Sequence, residues 1–171
     1  MLKGENIFLR QPDSSDATTL LFWENNISNW RVSETEAPYS MHQIISYIEA
    51  ASEVRNNKQV RMIICENGTE KPLGNIDLYD ISFKHKRAGV GILIADKEDR
   101  KKGFAAEALV LIQKYAKDSL ELKQLHCIIQ SDNTDSFNLF EKQGFEKSGE
   151  RKKWYIFKEK EIDAYFYQKF L

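Results

Sequence analysis

The chain has 171 residues, of which 42% are hydrophobic and 30% are charged, a composition that suits one globular domain with a hydrophobic core. Its formal net charge of −1 at pH 7 gives no general attraction to nucleic acid or to an anionic membrane. No stretch approaches the roughly 18 consecutive apolar residues of a membrane-spanning helix, and the first residues lack the apolar segment of a signal peptide. We therefore predict a single cytoplasmic domain over residues 1–171.

An apolar run at residues 6–11 is typical of a first strand, and polar cap residues begin a helix within residues 12–26. Residues 27–39 lack periodicity, and Pro38 disfavours helix in the residue before it, so we predict a long loop there. A capping box that begins at Ser40 predicts a second helix.

The rest of the chain predicts mainly strands. An Asn-Gly turn at residues 67–68 joins two β-branched runs and indicates a hairpin. An apolar stripe predicts a helix from Gly103 to about Lys117, and a strand follows at residues 123–130. A further helix ends at Gly144, and a closing hairpin completes the chain. These elements predict one α/β domain with a mostly antiparallel sheet.

The sequence pattern gives neither the cysteines nor the histidines a chemical role. Cys65 and Cys127 lie in apolar runs typical of buried thiols in a reducing cytosol, an isolated disulfide being the alternative. His42, His85 and His126 lack the short spacing of metal ligands, so we predict no metal site.

A run of cationic residues directly precedes a glycine at the start of the predicted central helix. Because a helix N-terminus presents unpaired N–H groups and a partial positive charge, it is a ready anion site, most often for phosphate. Gly103 allows close backbone approach, and Arg100, Lys101 and Lys102 add positive charge at the same end. The pattern indicates phosphate binding, with a solvated basic turn as the alternative. It matches neither a Walker loop nor the dinucleotide-binding glycine motif.

Asn133 follows the next strand, where it can cap a helix or reach a ligand. The alternative interpretation is a plain amphipathic helix with Phe137, Leu139 and Phe140 in the core.

Taken together, the motifs R-x-x-G-x-A at Arg100–Ala105 and N-x-x-S-x-x-L-F-x-K-x-G-F at Asn133–Phe145 resemble the GNAT superfamily of N-acetyltransferases, which bind acetyl-coenzyme A. The resemblance covers nearly all of the chain and is strongest to the branch of spermidine (diamine) and ribosomal-protein N-terminal acetyltransferases. It implies an α/β (α+β type) fold, with a mixed, mostly antiparallel sheet of about six to seven strands and about four helices.

The resemblance also implies a cofactor site. The pyrophosphate of coenzyme A should lie on backbone N–H groups of residues 100–105, and the pantetheine arm should pair with residues 92–94 and contact Asn133. Gly89 and Gly91 would fit the point where two strands splay apart. The implied cofactor-binding residues are Ile92, Leu93, Ile94, Arg100, Lys101, Lys102, Gly103, Phe104, Ala105, Asn133, Ser136, Phe140 and Lys142.

The implied reaction is direct attack of a neutral amine on the thioester, which requires a carboxylate to take the proton of the ammonium. The family usually protonates the leaving thiolate with a tyrosine, but this position holds Phe140. Tyr79, Tyr155 or Tyr165 could substitute, or the thiolate could leave unassisted. Gly89 stands where related sequences often carry a glutamate base.

Four acidic residues are candidates for the acceptor site. Glu34 and Glu36 lie in the predicted loop, and Asp77 and Asp80 lie on one strand. Because strand side chains alternate, Asp77 shares a face with Tyr79, and Asp80 joins them only if the strand bulges. By resemblance, Glu36 and Asp77 match polyamine-facing positions. We predict Glu36, Asp77 and Tyr79 as catalytic and all four acids as acceptor-binding, with solvated surface carboxylates as the alternative.

The sequence thus predicts an acetyl-coenzyme A-dependent N-acetyltransferase for a polyamine or small diamine. The alternatives are an N-terminal amine as acceptor, a coenzyme A-binding module without catalysis, and a phosphate-anchored interaction domain. Residues 162–170 carry apolar or aromatic side chains on both faces, so a homodimer or higher oligomer is a further expectation.

Overall fold

The computed structural model describes residues 1–33 and 35–171, with the backbone alone of Val32. Its described part contains eight strands and six helices, somewhat more than the sequence predicted, in the expected mixed α/β arrangement. The helices are α1 (Ala17–Glu24), α2 (Ile27–Ser33), α3 (Met41–Ala50), α4 (Val54–Asn57), α5 (Phe104–Asp118) and α6 (Thr134–Lys142). The strands are β1 (Leu2–Lys3), β2 (Ile7–Arg10), β3 (Val60–Glu66), β4 (Pro72–Ser82), β5 (Arg87–Ile94), β6 (Gln124–Gln130), β7 (Glu146–Phe157) and β8 (Lys160–Phe170).

The strands form one sheet in the order β1-β2-β3-β4-β5-β6-β8-β7. Every neighbouring pair is antiparallel except β5 and β6, which run parallel. This parallel pairing ends at Gly89 and His126, although both strands continue beyond that point. The sheet therefore opens between residues 90–94 of β5 and residues 127–130 of β6.

Helices cover the two faces of the sheet. On one face, α5 and α6 pack on the larger core, where Ala108, Leu109, Ile112 and Ala116 of the predicted α5 stripe are fully buried. Each such leucine or isoleucine contributes about 1.5–3 kcal/mol through burial. On the other face, α1 and α3 pack on a smaller core beside β2 and β3. This arrangement leaves α2 and α3 near the opening between β5 and β6.

The loop predicted for residues 27–39 is wrong in its first half, where α2 forms. Its stabilising bonds are local side-chain contacts that leave no periodic apolar pattern. The Asn26 carboxamide oxygen accepts from the Ser28 N–H at 3.0 Å, and the Trp30 indole donates to the Glu24 carbonyl at 2.7 Å. These bonds join α2 to the end of α1 and so bring the segment into the fold.

Both cysteines are buried and free, as predicted. Burial raises the pKa of each thiol above its usual value, which makes them inert core residues. Within the described chain, no helix is long and apolar enough to cross a membrane, and no group of three metal-binding side chains occurs.

Candidate active site

A cavity of about 680 Å³ lies over the opening in the sheet. One wall comes from α1, α3, β3 and β4, and the other from β6 and the beginning of α6. The predicted site residues that line it are Asp77, Tyr79, Asp80, Ile92, Leu93, Asn133, Ser136 and Phe140. The cavity therefore joins the predicted acceptor residues to part of the predicted cofactor residues.

The Tyr79 ring lies across the strand glycines at the base of this opening. Tyr79 pairs with Gly89 in the β4–β5 ladder, and a β-carbon at Gly89 would overlap the ring. At Gly91 a β-carbon would meet the ring at 3.8 Å, an ordinary contact. The close approach indicated by these glycines is thus made by a side chain and not by a second backbone. It also explains why a larger residue is absent from position 89.

Replacing Gly89 by alanine should lower the free energy of unfolding by about 1–3 kcal/mol, because the ring must move or the strands must part. Gly91→Ala is the matched control, since its methyl group makes only an ordinary contact. Urea unfolding of both variants checks this. Equal stability of the two variants would show that the ring moves aside without cost.

A bulge in β4 brings Asp80 to the cavity. The β4–β5 register shifts between Tyr79 and Ser82, and Asp80 adopts a left-handed conformation with φ of 49°. Strict alternation would place Asp80 opposite Asp77 and Tyr79, but all three residues line the cavity. This is the bulge that the sequence required for Asp80 to share a site with Asp77 and Tyr79.

A half-buried ion-pair cluster forms the wall that carries Asp77. The Arg61 guanidinium donates to both carboxylate oxygens of Asp77, from Nε at 2.7 Å and from Nη2 at 2.9 Å. Its Nη1 donates to Oε1 of Glu24 at 2.5 Å. Sequence reasoning missed Glu24 and Arg61. Arg61 carried a usable signal, since it lies directly opposite Asp77 in the predicted hairpin.

Electrostatics keep the Arg61 guanidinium charged. Burial alone would lower the pKa of the Arg61 guanidinium, but the charge and hydrogen bonds of Asp77, with smaller contributions from Tyr47 and Glu24, raise it well above its usual value. The guanidinium also lies over the Tyr47 ring, 5.1 Å from its centroid. Burial raises the pKa of Tyr47 to about 12, so its hydroxyl keeps its proton at neutral pH.

The other predicted acceptor-site residues are less central. Glu34 lies outside the described residues. Glu36 is exposed and is absent from the cavity lining given by the described chain, so its role stays a prediction. Tyr155 lines the cavity, as Tyr79 does, whereas Tyr165 stacks on Phe137 with ring centroids 5.6 Å apart. Tyr79 and Tyr155 are therefore the better placed of the three predicted substitutes for a general acid.

The beginning of α5 has the geometry of an anion site. Gly103 is its N-cap, with φ of 92°, and no atom lies within 4 Å of the position of a β-carbon there. The first backbone bond of α5 joins the Glu107 N–H to the Gly103 carbonyl. Over this fully described segment, the N–H groups of residues 104–106 have no intramolecular acceptor.

The three predicted cations of this loop differ in their roles. Arg100 donates to the carbonyls of Ile94 and Ala95 at 3.0 and 3.2 Å and so fixes the end of β5. Lys102 binds the Asp99 carboxylate at 2.9 Å. Lys101 has a side chain 78% exposed and lies 3.5 Å from Asp135, so it is the most available of the three to an incoming anion.

The opposite side of the cavity carries the asparagine motif. The Asn133 side-chain oxygen accepts from the Ser136 N–H at 3.2 Å, which confirms the predicted cap of α6. Phe140 is buried edge-on against Phe145, with ring centroids 5.1 Å apart. Lys142 is exposed and lies outside the lining that the described residues form.

Hydrogen bonds from Arg31 of α2 link the two walls of the cavity. Its Nε donates to the Gln130 side chain at 2.8 Å, and its Nη2 donates to both Asp132 oxygens at 2.5 and 2.6 Å. These hydrogen bonds lower the pKa of Asp132. The missed helix α2 therefore bridges α1 to the segment immediately before Asn133.

Comparisons with known proteins agree with this geometry. The family model described as "Acetyltransferase (GNAT) domain" matches residues 6–146. The uncharacterised N-acetyltransferase YoaA of Bacillus subtilis is 29% identical over 150 residues, which are 87% of this chain and 84% of that protein. A Vibrio cholerae spermidine N-acetyltransferase in complex with CoA and spermine superposes with a TM-score of 0.85 at 19% identity, over 96% of this chain and 95% of that one. A dodecameric structure of spermidine N-acetyltransferase from the same species gives 0.80 at 21% identity, over 96% and 94%. The resemblance predicted from the two motifs is confirmed, and the chain belongs to the GNAT acetyltransferase family of N-acetyltransferases.

Proposed function

We propose that the protein transfers the acetyl group of acetyl-coenzyme A to a primary amine, and that this acceptor is a polyamine or small diamine. The charge of the cavity wall carries the proposal. The described lining residues include three carboxylates (Glu24, Asp77 and Asp80) and one guanidinium (Arg61), which leaves a net charge of −2. Such a wall attracts a cationic amine and repels an acceptor that carries a carboxylate.

The cofactor would occupy the opening in the sheet. Its pyrophosphate would accept from the free N–H groups at the start of α5, near Lys101. Its pantetheine arm would run along residues 92–94 of β5, whose second edge is unpaired beyond Gly89, and would reach Asn133 and Ser136. The remaining loop residues named above would shape this path, Arg100 through its bonds to the end of β5.

The acceptor nitrogen must lose two protons, one before and one after it attacks the thioester, and the leaving sulfur must gain one. A carboxylate of the acidic wall would help the ammonium lose its proton, and the amine nitrogen would then bond to the thioester carbon. A backbone N–H of β5 would stabilise the oxyanion. The nitrogen would then give its second proton to solvent, and as the carbon–sulfur bond breaks, solvent or Tyr79, which lines the cavity, would supply a proton to the departing thiolate. Glu36 and Asp77 stay proposals as proton acceptors.

Thiol release from acetyl-coenzyme A tests the proposal directly. Spermidine, spermine, small diamines, amino acids and short peptides with free N-termini should be compared at equal concentration. We expect release with polyamines and diamines and little with amino acids, because the wall repels their carboxylates. Release with peptides alone would instead identify an N-terminal amine as acceptor.

The same assay separates an enzyme from a binding module. Phe140→Tyr adds a hydroxyl at a buried position in the cavity lining. Tight acetyl-coenzyme A binding without release by the wild type, together with release by this variant, would identify a module that has lost its chemistry. Absence of acetyl-coenzyme A binding would contradict both.

The setting of the reaction is also a proposal. We place the protein in the cytoplasm, acting on a small molecule or peptide, without nucleic acid or membrane. Homo-oligomerisation is supported by the exposed apolar side chains at the end of the chain, among them Trp154, Ile156 and Phe170. Its test is the mass of the purified protein by light scattering.

A further inference from the structure

Glu24 and Asp77 share the Arg61 guanidinium unequally. Asp77 accepts from Arg61 on both oxygens, and its Oδ2 accepts again from the Asn75 side chain at 3.0 Å. Glu24 accepts from Arg61 on Oε1 alone. The three hydrogen bonds to Asp77 occupy three of the about four acceptor sites of a carboxylate, so Asp77 has little capacity left for a ligand.

Glu24 belongs to the residues that line the cavity, and its two carboxylate oxygens differ in their contacts. No donor among the described residues bonds to Glu24 Oε2. Gln113 Nε2 is the one fully buried side-chain atom without a partner in the described chain, so Glu24 Oε2 is not sealed in the core. Glu24 lines the cavity, and its side chain is 15% exposed. An incoming N–H donor can therefore reach this oxygen.

The position of Glu24 is set before any ligand arrives. Its carbonyl accepts from the Trp30 indole at 2.7 Å, and its carboxylate is held by Arg61, which lies over the Tyr47 ring. A carboxylate fixed in this way needs little reorganisation on binding, which favours affinity and orientation. One of its two oxygens stays available.

We propose that Glu24 is the residue that contacts the ammonium of the acceptor, and that Asp77 is a positioning residue that acts through Arg61. This rests on the proposed acetyl transfer to an amine. Arg61 neutralises one of the two largely enclosed carboxylates, so the cluster keeps one negative charge, matched to one ammonium. Asp80, exposed on the bulge of β4, provides a separate negative charge for the second ammonium of a diamine.

Glu24→Gln isolates the role of the free oxygen. Glutamine can still accept from Arg61 through Oε1, while its amide group replaces the free oxygen with a donor that repels an ammonium. We expect the KM for spermidine to rise by about 10–100-fold, as for loss of a charged hydrogen bond, with the KM for acetyl-coenzyme A unchanged. Glu49→Gln, at an exposed position of α3, removes the same charge outside the cavity and should behave as wild type.

Asp77→Asn tests the positioning role. If Asp77 acts through Arg61 and Glu24, the double variant Glu24→Gln/Asp77→Asn should bind spermidine no more than about twofold more weakly than Glu24→Gln alone. If Glu24 and Asp77 contacted spermidine independently, the loss of affinity in the double variant would be the product of the two single losses. The assignment would be overturned if Glu24→Gln kept the wild-type KM for spermidine while Asp77→Asn raised that KM strongly.

Calorimetric titration of spermidine into the coenzyme A-loaded protein separates this inference from the proposed function. Weaker binding to Glu24→Gln supports the contact even if the wild type releases no thiol, which would contradict only the transfer reaction. Equal binding to wild type and variant overturns the contact even if transfer is observed. No amine binding by the wild type overturns both.

Unchanged acetyl-coenzyme A binding and an unchanged melting temperature verify that the Glu24→Gln variant is folded. Glu24→Asp keeps the charge with a shorter reach, so its affinity for spermidine should lie between those of the wild type and Glu24→Gln.

Discussion

Replacing Arg61 by leucine should lower the free energy of unfolding by about 3–5 kcal/mol, because it leaves two largely enclosed carboxylates without their cation. The Arg61 side chain is 16% exposed, and those of Glu24 and Asp77 are each 15% exposed, so water screens them poorly. Leucine fills part of the space but supplies no donor. Urea unfolding at pH 7 measures the loss.

Two further variants show whether unpaired charge causes this loss. Arg61→Lys keeps the charge without the fork and should lose less stability. Asp77→Asn added to Arg61→Leu should restore part of the stability, since it removes one uncompensated charge. Glu161→Gln is the control, because it breaks an exposed pair with Lys153 at 2.8 Å and should change stability little. A loss no larger than that of the control would show that water reaches the cluster freely.

Short-range patterns in the sequence were enough to predict the glycine that begins α5 and the asparagine cap of α6. Gly103 and Asn133 act on the helix that begins next to them, and both have the predicted place at its N-terminus. The stripe of α5 was also readable, because period and burial coincide there. These features depend on neighbours within a few residues, so local rules reach them.

The acidic wall of the cavity depends on contacts that local rules do not describe. Glu24 and Arg61 are 37 positions apart in the chain, and no spacing pattern in the sequence indicates that they form an ion pair. The bulge at Asp80 breaks the strict alternation that would have placed this residue on the opposite face of β4. The helix α2 depends on bonds to the carbonyl end of α1 and not on an apolar stripe. Contacts outside the periodic pattern decide all three, which is why short-range patterns alone did not predict them.

Gly103→Ala should weaken acetyl-coenzyme A binding by about 100-fold or more, provided that the pyrophosphate lies on the first N–H groups of α5. At φ of 92°, an L-residue is strained, so the cap changes conformation and turns those N–H groups away from their common direction. Any methyl group retained there projects into the open space that the anion must enter.

Gly68→Ala is a closely matched control for this variant. Gly68, in the turn between β3 and β4, has φ of 87° and likewise no atom within 4 Å of a β-carbon position. Both variants should therefore lose a similar 1–2 kcal/mol of stability, roughly the cost of a left-handed non-glycine residue. Calorimetric titration should then show weaker acetyl-coenzyme A binding in Gly103→Ala alone. If both variants bind acetyl-coenzyme A as the wild type does, Gly103 serves only to begin the helix, and the pyrophosphate must be bound elsewhere.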